Sequence, residues 1–179
     1  MKYRNELTIK NGQKCIIRNG TFEDGPEVST FFTTTHGETD YLLSYPEEST
    51  RDDEKQSNYL KETTESDREI ELLAIVDGKV VGMAGFHAIG SKYKVRHRAE
   101  FGITVSKNYW GQGIGKAIMN ACIKCAKEAG YIQLELDVVA DNTRAIELYK
   151  KLGFIEFGRN PKGFQSKYSG FQELVYMRL

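Results

Sequence analysis

Residues 99–118 read AEFGITVSKNYWGQGIGKAI, and their order decides the fold. AEFGITV (99–105) ends in the β-branched run Ile103-Thr104-Val105 and reads as a strand. A turn follows in which Gly111, Gly113 and Gly115 stand at alternate positions, with Lys116 after them. From there Ile114, Ala117, Ile118, Ala121 and Cys125 recur on one helical face, and Gly130 closes the helix. In a strand–glycine turn–helix arrangement the successive amides, here Gln112 to Ala117, converge at the positive end of a helix. That is a ready-made anion site in which glycine lets a phosphate approach the backbone, a tight turn with no ligand being the alternative. Two familiar owners are excluded by spacing. A GxxxxGK[ST] loop needs glycine and Ser or Thr where Trp110 and Ala117 stand. A GxGxxG reading meets Lys116 or Ile118 at its third glycine.

Working outward, KCIIR (14–18) is a short strand, and Pro26 suits the first turn of a helix over about 25–35 carrying Val28, Phe31, Phe32 and Thr35. From Glu47 to Glu71 acidic residues outnumber basic ones ten to four. Thr50 and Asp53 suggest a helix start there, read as a solvated helix anchored by Tyr59 and Leu60, or as a lure for a cation. ELLAIVDGKVVGMAGFHAI (71–89) is a hairpin turning at Asp77-Gly78. A basic connector follows, with Lys92, Lys94, Arg96 and Arg98. In YIQLELDVV (131–139), Ile132, Leu134, Leu136 and Val138 alternate with Gln133, Glu135 and Asp137. DNTRAIELYKKLGF (141–154) is a capped helix with Ala145, Ile146, Tyr149 and Leu152 on its buried stripe, and 171–179 is a last strand. Strands followed by β–α–β–α–β predict one α/β domain with a mixed sheet. Residues 1–13 read as an N-terminal extension or edge segment.

The chain has 179 residues, enough for one domain with a core, and its formal net charge is zero. Zero net charge argues against a nucleic-acid partner. No apolar run approaches the roughly 18 residues of a membrane span, and the N-terminus lacks a signal peptide's apolar core. The three cysteines, Cys15, Cys122 and Cys125, suggest a reducing cytoplasm. Cys122 and Cys125, without a second pair or a nearby His, read as helix packing, so no metal is expected. His36, His87 and His97 are scattered, although His87 can face an acceptor cleft.

Two motifs in order then carry a resemblance. Trp110-Gly111-Gln112-Gly113-Ile114-Gly115 resembles the [Q/R]-x-x-G-x-[G/A] phosphate loop of the GCN5-related N-acetyltransferases (GNAT), with Trp110 in place of Gln or Arg. VVADNTRAIELYKKLGF (138–154) is similar to that family's strand, Asn-containing turn and Tyr-bearing helix. The resemblance covers about 14–179. It implies a mostly antiparallel mixed sheet, splayed between two central parallel strands (99–105 and 131–139) and flanked by helices. It also implies transfer of acetyl from acetyl-CoA to a primary amine of a small molecule or peptide.

On that resemblance, Gly111, Gln112, Gly113, Ile114, Gly115, Lys116 and Ala117 hold the pyrophosphate. Ile103, Thr104 and Val105 pair with the pantetheine arm, which Asn142 also bonds. Tyr149 is the general acid and Glu100 the general base, an ion pair of Glu100 with Arg98 or Lys92 being the alternative. A base is needed because an alkylamine, with a pKa near ~10.4, arrives protonated. A backbone amide at a bulge near Ile103 is the implied oxyanion donor. The acceptor is expected between segments 36–60, 90–98 and 158–170, with the basic connector free to grip phosphates. A homodimer through the last strand is expected, that strand lying at a sheet edge. An acyl-CoA sensor without turnover and a nucleotide-binding α/β protein remain open alternatives.

Overall fold

A computed structural model describes residues 1–48 and 52–179. Eight strands form one sheet: β1 (Arg4–Thr8), β2 (Lys14–Asn19), β3 (Ile70–Val76), β4 (Lys79–Ala88), β5 (Arg98–Val105), β6 (Gln133–Val139), β7 (Ile155–Ser166) and β8 (Gly170–Arg178). Four α-helices flank it: α1 (Gly25–Glu38), α2 (Asp53–Glu65), α3 (Ile114–Glu128) and α4 (Thr143–Lys151). The strand order is β1-β2-β3-β4-β5-β6-β8-β7. Among the described residues only β5 and β6 run parallel; every other pair is antiparallel. None of the helices of the described residues is long and apolar enough to cross a membrane.

Local chemistry accounts for most boundaries. Asp77 (φ 50°) and Gly78 (φ 77°) both adopt positive φ, as a tight turn between β3 and β4 demands. Gly113 precedes α3 as its cap and Gly130 follows it, both left-handed. Asn142 caps α4 by accepting from the Ala145 amide at 3.3 Å. Asp52 caps α2, accepting from the Glu54 amide at 3.0 Å; the cap expected at Thr50 lies outside the described residues. α2 is a solvated helix anchored by the fully buried Leu60, and it packs on α1 and β3.

The period of 2 along the strands divides the core between two faces. On one face Leu72, Ala84, Phe101 and Leu136 pack against Ile118 and Cys122 of α3 and Tyr149 of α4. On the other, Leu73 and Val80 pack under Val28, Phe31 and Leu60 from α1 and α2.

Two expectations are corrected. Ile132 precedes β6 and is 82% exposed; Tyr131 is the buried residue there, because the chain turns as it leaves α3. The last strand is not an edge: β8 is bonded to β6 on one side and to β7 on the other, so it offers no free edge for a homodimer. β7, the actual edge, is broken in register between Glu156 and Gly158 and between Asn160 and Phe164, which absorbs Pro161 and the nearby glycines. At the opposite edge, β1 pairs with β2.

Candidate active site

The site arises where the two parallel strands part. β5 and β6 are in register at Arg98/Gln133, Ala99/Leu134 and Glu100/Glu135, and not beyond. Past Glu100 the β6-facing edge of β5 is without a strand partner. Arg98 secures the closed end of the split. Its guanidinium donates twice to the Glu135 carboxylate, one bond (Nη2 to Oε2) measuring 2.7 Å. That pair holds the Glu135 carboxyl below its ordinary range.

A cavity of about 570 Å³ opens from the split. Of the expected ligand residues, Ile103, Thr104, Val105, Gly111, Gly113, Gly115, Lys116, Asn142 and Tyr149 line it. Gln112, Ile114, Ala117 and Glu100 do not. The amides show why the cradle is narrower than expected. Gln112 N donates to Tyr109 O at 3.4 Å and Ala117 N to Gly113 O at 3.1 Å, so both are used within the chain. The first three helical amides, Ile114, Gly115 and Lys116, have no carbonyl a turn earlier to reach. They form the positive end of α3. Gly111 (φ 79°) and Gly113 (φ 95°) give the turn its shape. At Gly115 a Cβ would come within 3.3 Å of Leu148, so glycine also lets α4 approach.

Trp110 has its own task. Its indole Nε1 donates to the Val105 carbonyl at 2.6 Å, tying the phosphate turn to the end of β5. Arg144 lies over the indole ring at 5.4 Å. Arg144 and Lys10 both line the cavity and supply cations that local sequence reading missed. Lys10 arrives through the β1–β2 connection, its amide donating to Gln112 O at 3.2 Å.

Tyr149 is buried in the deep wall and packs against Phe154, with ring centroids 5.9 Å apart. Burial, with a smaller contribution from the nearby Asp137 carboxylate, pushes its phenol well above the ordinary value, so it stays protonated. Asn142 uses its Oδ1 as the α4 cap, which leaves only its NH2 donors for a ligand.

Glu100 lies on the sheet face opposite Ala99 and Phe101, exposed, with His87 Nε2 at 3.5 Å. Its partner is therefore His87 rather than Arg98 or Lys92, because Arg98 is engaged by Glu135. The bulge expected near Ile103 is absent. β4 and β5 stay in unbroken register from Gly82/Val105 to Ala88/Ala99, so the Ile103 amide lies in regular strand.

The other candidates fall away. Cys122 is fully buried, its thiol is raised by burial, and its Sγ lies 3.5 Å from the Ala84 carbonyl. Among the described residues no group of side chains could hold a metal. His36 Nδ1 lies 2.7 Å from Phe32 O. The connector's Lys92, Lys94, Arg96 and Arg98 do not line the cavity. Of the three segments expected to frame an acceptor, 90–98 supplies no residue to the cavity wall, whereas the stretch after α1 forms part of it.

Comparison with known proteins agrees with this geometry. The chain is 32% identical over 108 residues to an L-amino acid N-acetyltransferase of Escherichia coli, covering 60% of this chain and 65% of that one. Against two further curated relatives it spans 44% and 62% of their length. An acetyltransferase of the GNAT family from Streptococcus pneumoniae superposes with a TM-score of 0.88 at 28% identity, over 92% of this chain and 98% of that one. A GNAT superfamily phosphinothricin acetyltransferase from Sinorhizobium meliloti, solved in complex with acetyl-CoA, shares the fold with a TM-score of 0.79 at 18% identity, over 97% and 88%. The sequence profile of the acetyltransferase (GNAT) family matches residues 35–154, more than half of the chain. With its strands parted in front of a glycine-capped helix, the chain belongs to the GNAT acetyltransferase family.

Proposed function

We propose that the protein transfers an acetyl group from acetyl-CoA to a primary amine of a small molecule or peptide by direct attack. One observation carries the reading: a single cavity joins the amides at the start of α3, the open edge of β5 and Tyr149. The cradle fits CoA, since the positive-φ glycines leave the amides bare and Lys116, Lys10 and Arg144 offer charge for its phosphates. The acetyltransferase domain is assigned to residues 14–179, with 1–13 adding the edge strand and Lys10. Three free, buried cysteines suit a reducing cytoplasm.

The cosubstrate supplies the activated thioester. The Gly115 and Lys116 amides hold its pyrophosphate, and the Ile103 and Thr104 backbone pairs with the pantetheine amides. Val105 contributes less, its carbonyl being engaged by Trp110. Glu100, through water, takes the proton of the acceptor ammonium, and the freed amine nitrogen attacks the acetyl carbon. As the C–S bond breaks, the Tyr149 hydroxyl donates to the departing sulfur. A phenol raised by burial is a weaker acid than a thiol of pKa about 8.5. Its contribution is therefore a hydrogen bond to the developing thiolate, with full protonation following. Glu100 lies outside the cavity wall, which is what an acyl-CoA sensor without turnover would also present.

A thiol-release screen with acetyl-CoA over amines, amino acids and peptide N-termini tests the reading. L-amino acids come first because the Escherichia coli relative bears that name. Tight CoA binding with no responding amine would favour the sensor. Calorimetric binding of ATP without CoA would favour the nucleotide-binding alternative.

A further inference from the structure

The segment leaving α1 forms part of the cavity wall and is fastened where it begins by two carboxylates two residues apart. Glu38 Oε2 accepts from the Lys107 amide at 2.7 Å and its Oε1 from Ser106 Oγ at 3.2 Å, fixing the helix end to the exit of β5. Asp40 faces the other way, toward the β7–β8 turn. Its Oδ2 accepts from Ser166 Oγ at 2.6 Å, Ser169 Oγ at 3.2 Å and Gln172 Nε2 at 3.2 Å. Its Oδ1 accepts from Tyr45 OH at 3.1 Å, and its main-chain carbonyl from Gln172 Nε2 at 3.0 Å. One carboxylate thus gathers donors from its own loop and from both arms of a hairpin more than 120 residues away. Tyr45 OH in turn accepts from the Lys167 amide at 2.8 Å.

Directly after the second fastening, Tyr41 and Leu42 stand in the wall of the main cavity. Leu42 also lines a second hollow of about 250 Å³, floored by Gly163, Phe164 and Gln172. The carboxylates are occupied by internal donors, so neither is a free grip for a cation. Their geometry serves the wall.

We propose that Asp40 is a positioning residue for acceptor binding: by docking on Ser166, Ser169 and Gln172 it holds Tyr41 and Leu42 as the wall against which the acceptor amine is placed. This rests on the acetyltransferase reading for its kinetic consequence but not for its mechanical one. Asp40's hydrogen bonds go to Tyr45, Ser166, Ser169 and Gln172, and none goes to β5, α3 or α4, which build the donor half of the cavity. The clasp therefore acts on acceptor affinity and leaves acetyl-CoA affinity alone.

The test compares full-length wild type, Asp40→Ala, Ser166→Ala/Ser169→Ala and the triple variant. Amide hydrogen exchange followed by mass spectrometry needs no acceptor. Asp40→Ala should speed exchange about tenfold in 39–48 and 163–172 while α3 and β3 keep wild-type rates, the pattern of a local opening. With the best amine from the screen, acceptor KM should rise about tenfold when Asp40→Ala removes these four carboxylate bonds, with kcat and acetyl-CoA KM within about twofold. The serine pair should reproduce this, and the triple variant should add little to Asp40→Ala. Unchanged exchange in both segments overturns the clasp. Faster exchange with acceptor KM unchanged, or with acetyl-CoA KM rising equally, overturns the positioning role. If no amine turns over, the acetyltransferase reading fails, and exchange still decides the clasp.

Discussion

Tyr149→Phe separates chemistry from folding more cleanly than any other change. The ring is 7% exposed and packs on Phe154, and phenylalanine keeps that contact. Only the hydroxyl is lost, from a residue that lines the cavity. Stability near neutral pH should therefore move by less than about 0.5 kcal/mol in urea unfolding. Turnover should fall about ten- to a thousandfold with acetyl-CoA affinity nearly intact, since the bond to the leaving sulfur exists only as the C–S bond breaks. The pH dependence adds a second signature. The folded phenol titrates above the unfolded value of about 10. Its favourable contribution is complete below pH about 10 and is lost as pH rises through the folded value, because the unfolded chain releases the proton first. Wild type should thus weaken faster than the Phe variant above pH about 10. Equal turnover in the two proteins would remove Tyr149 from the mechanism. Parallel alkaline unfolding curves would refute the account of its burial.

Three further changes probe the rest of the site. Gly113→Ala forces a side chain into φ 95° with open space around it, so strain alone should cost about 1–2 kcal/mol of stability, and calorimetry should also show weakened CoA binding. Arg98→Ala leaves the largely buried Glu135 carboxylate without its forked partner; denaturant unfolding should report a loss of about 2–3 kcal/mol at pH 7. Glu135 has a lowered pKa, so that difference should be present above the unfolded value of about 4.3 and shrink as pH falls through the folded one. Glu100→Gln should cut turnover about a hundredfold if it is the base, with the acidic limb of the pH–rate profile removed; an unaltered profile would move the base elsewhere.

Much of the fold is legible because it is local. The Asp77-Gly78 turn, the helix between Gly113 and Gly130, and the Asn142 cap are each decided within a few residues by φ restrictions and by backbone groups seeking partners. β7 was illegible for the converse reason. Gly158, Pro161 and Gly163 break the alternation that marks a strand, and the pairing with β8 tolerates them only through its register breaks. Because β8 pairs with the distant β6 as well as with β7, it moves from the expected edge to the interior.

The candidate site divides along the same line. The sequence alone determined the glycine turn at the head of α3, the Tyr-bearing helix that follows, and hence the family, since these depend on spacing along the chain. Only the tertiary structure decided which amides are left unbonded, that Lys10 and Arg144 stand beside the phosphate turn, that Glu100 meets His87, and that Asp40 reaches Ser166 and Gln172. Those contacts join residues that no periodicity relates. They form only when the twist of the sheet and the parting of β5 from β6 bring separate elements to one cleft.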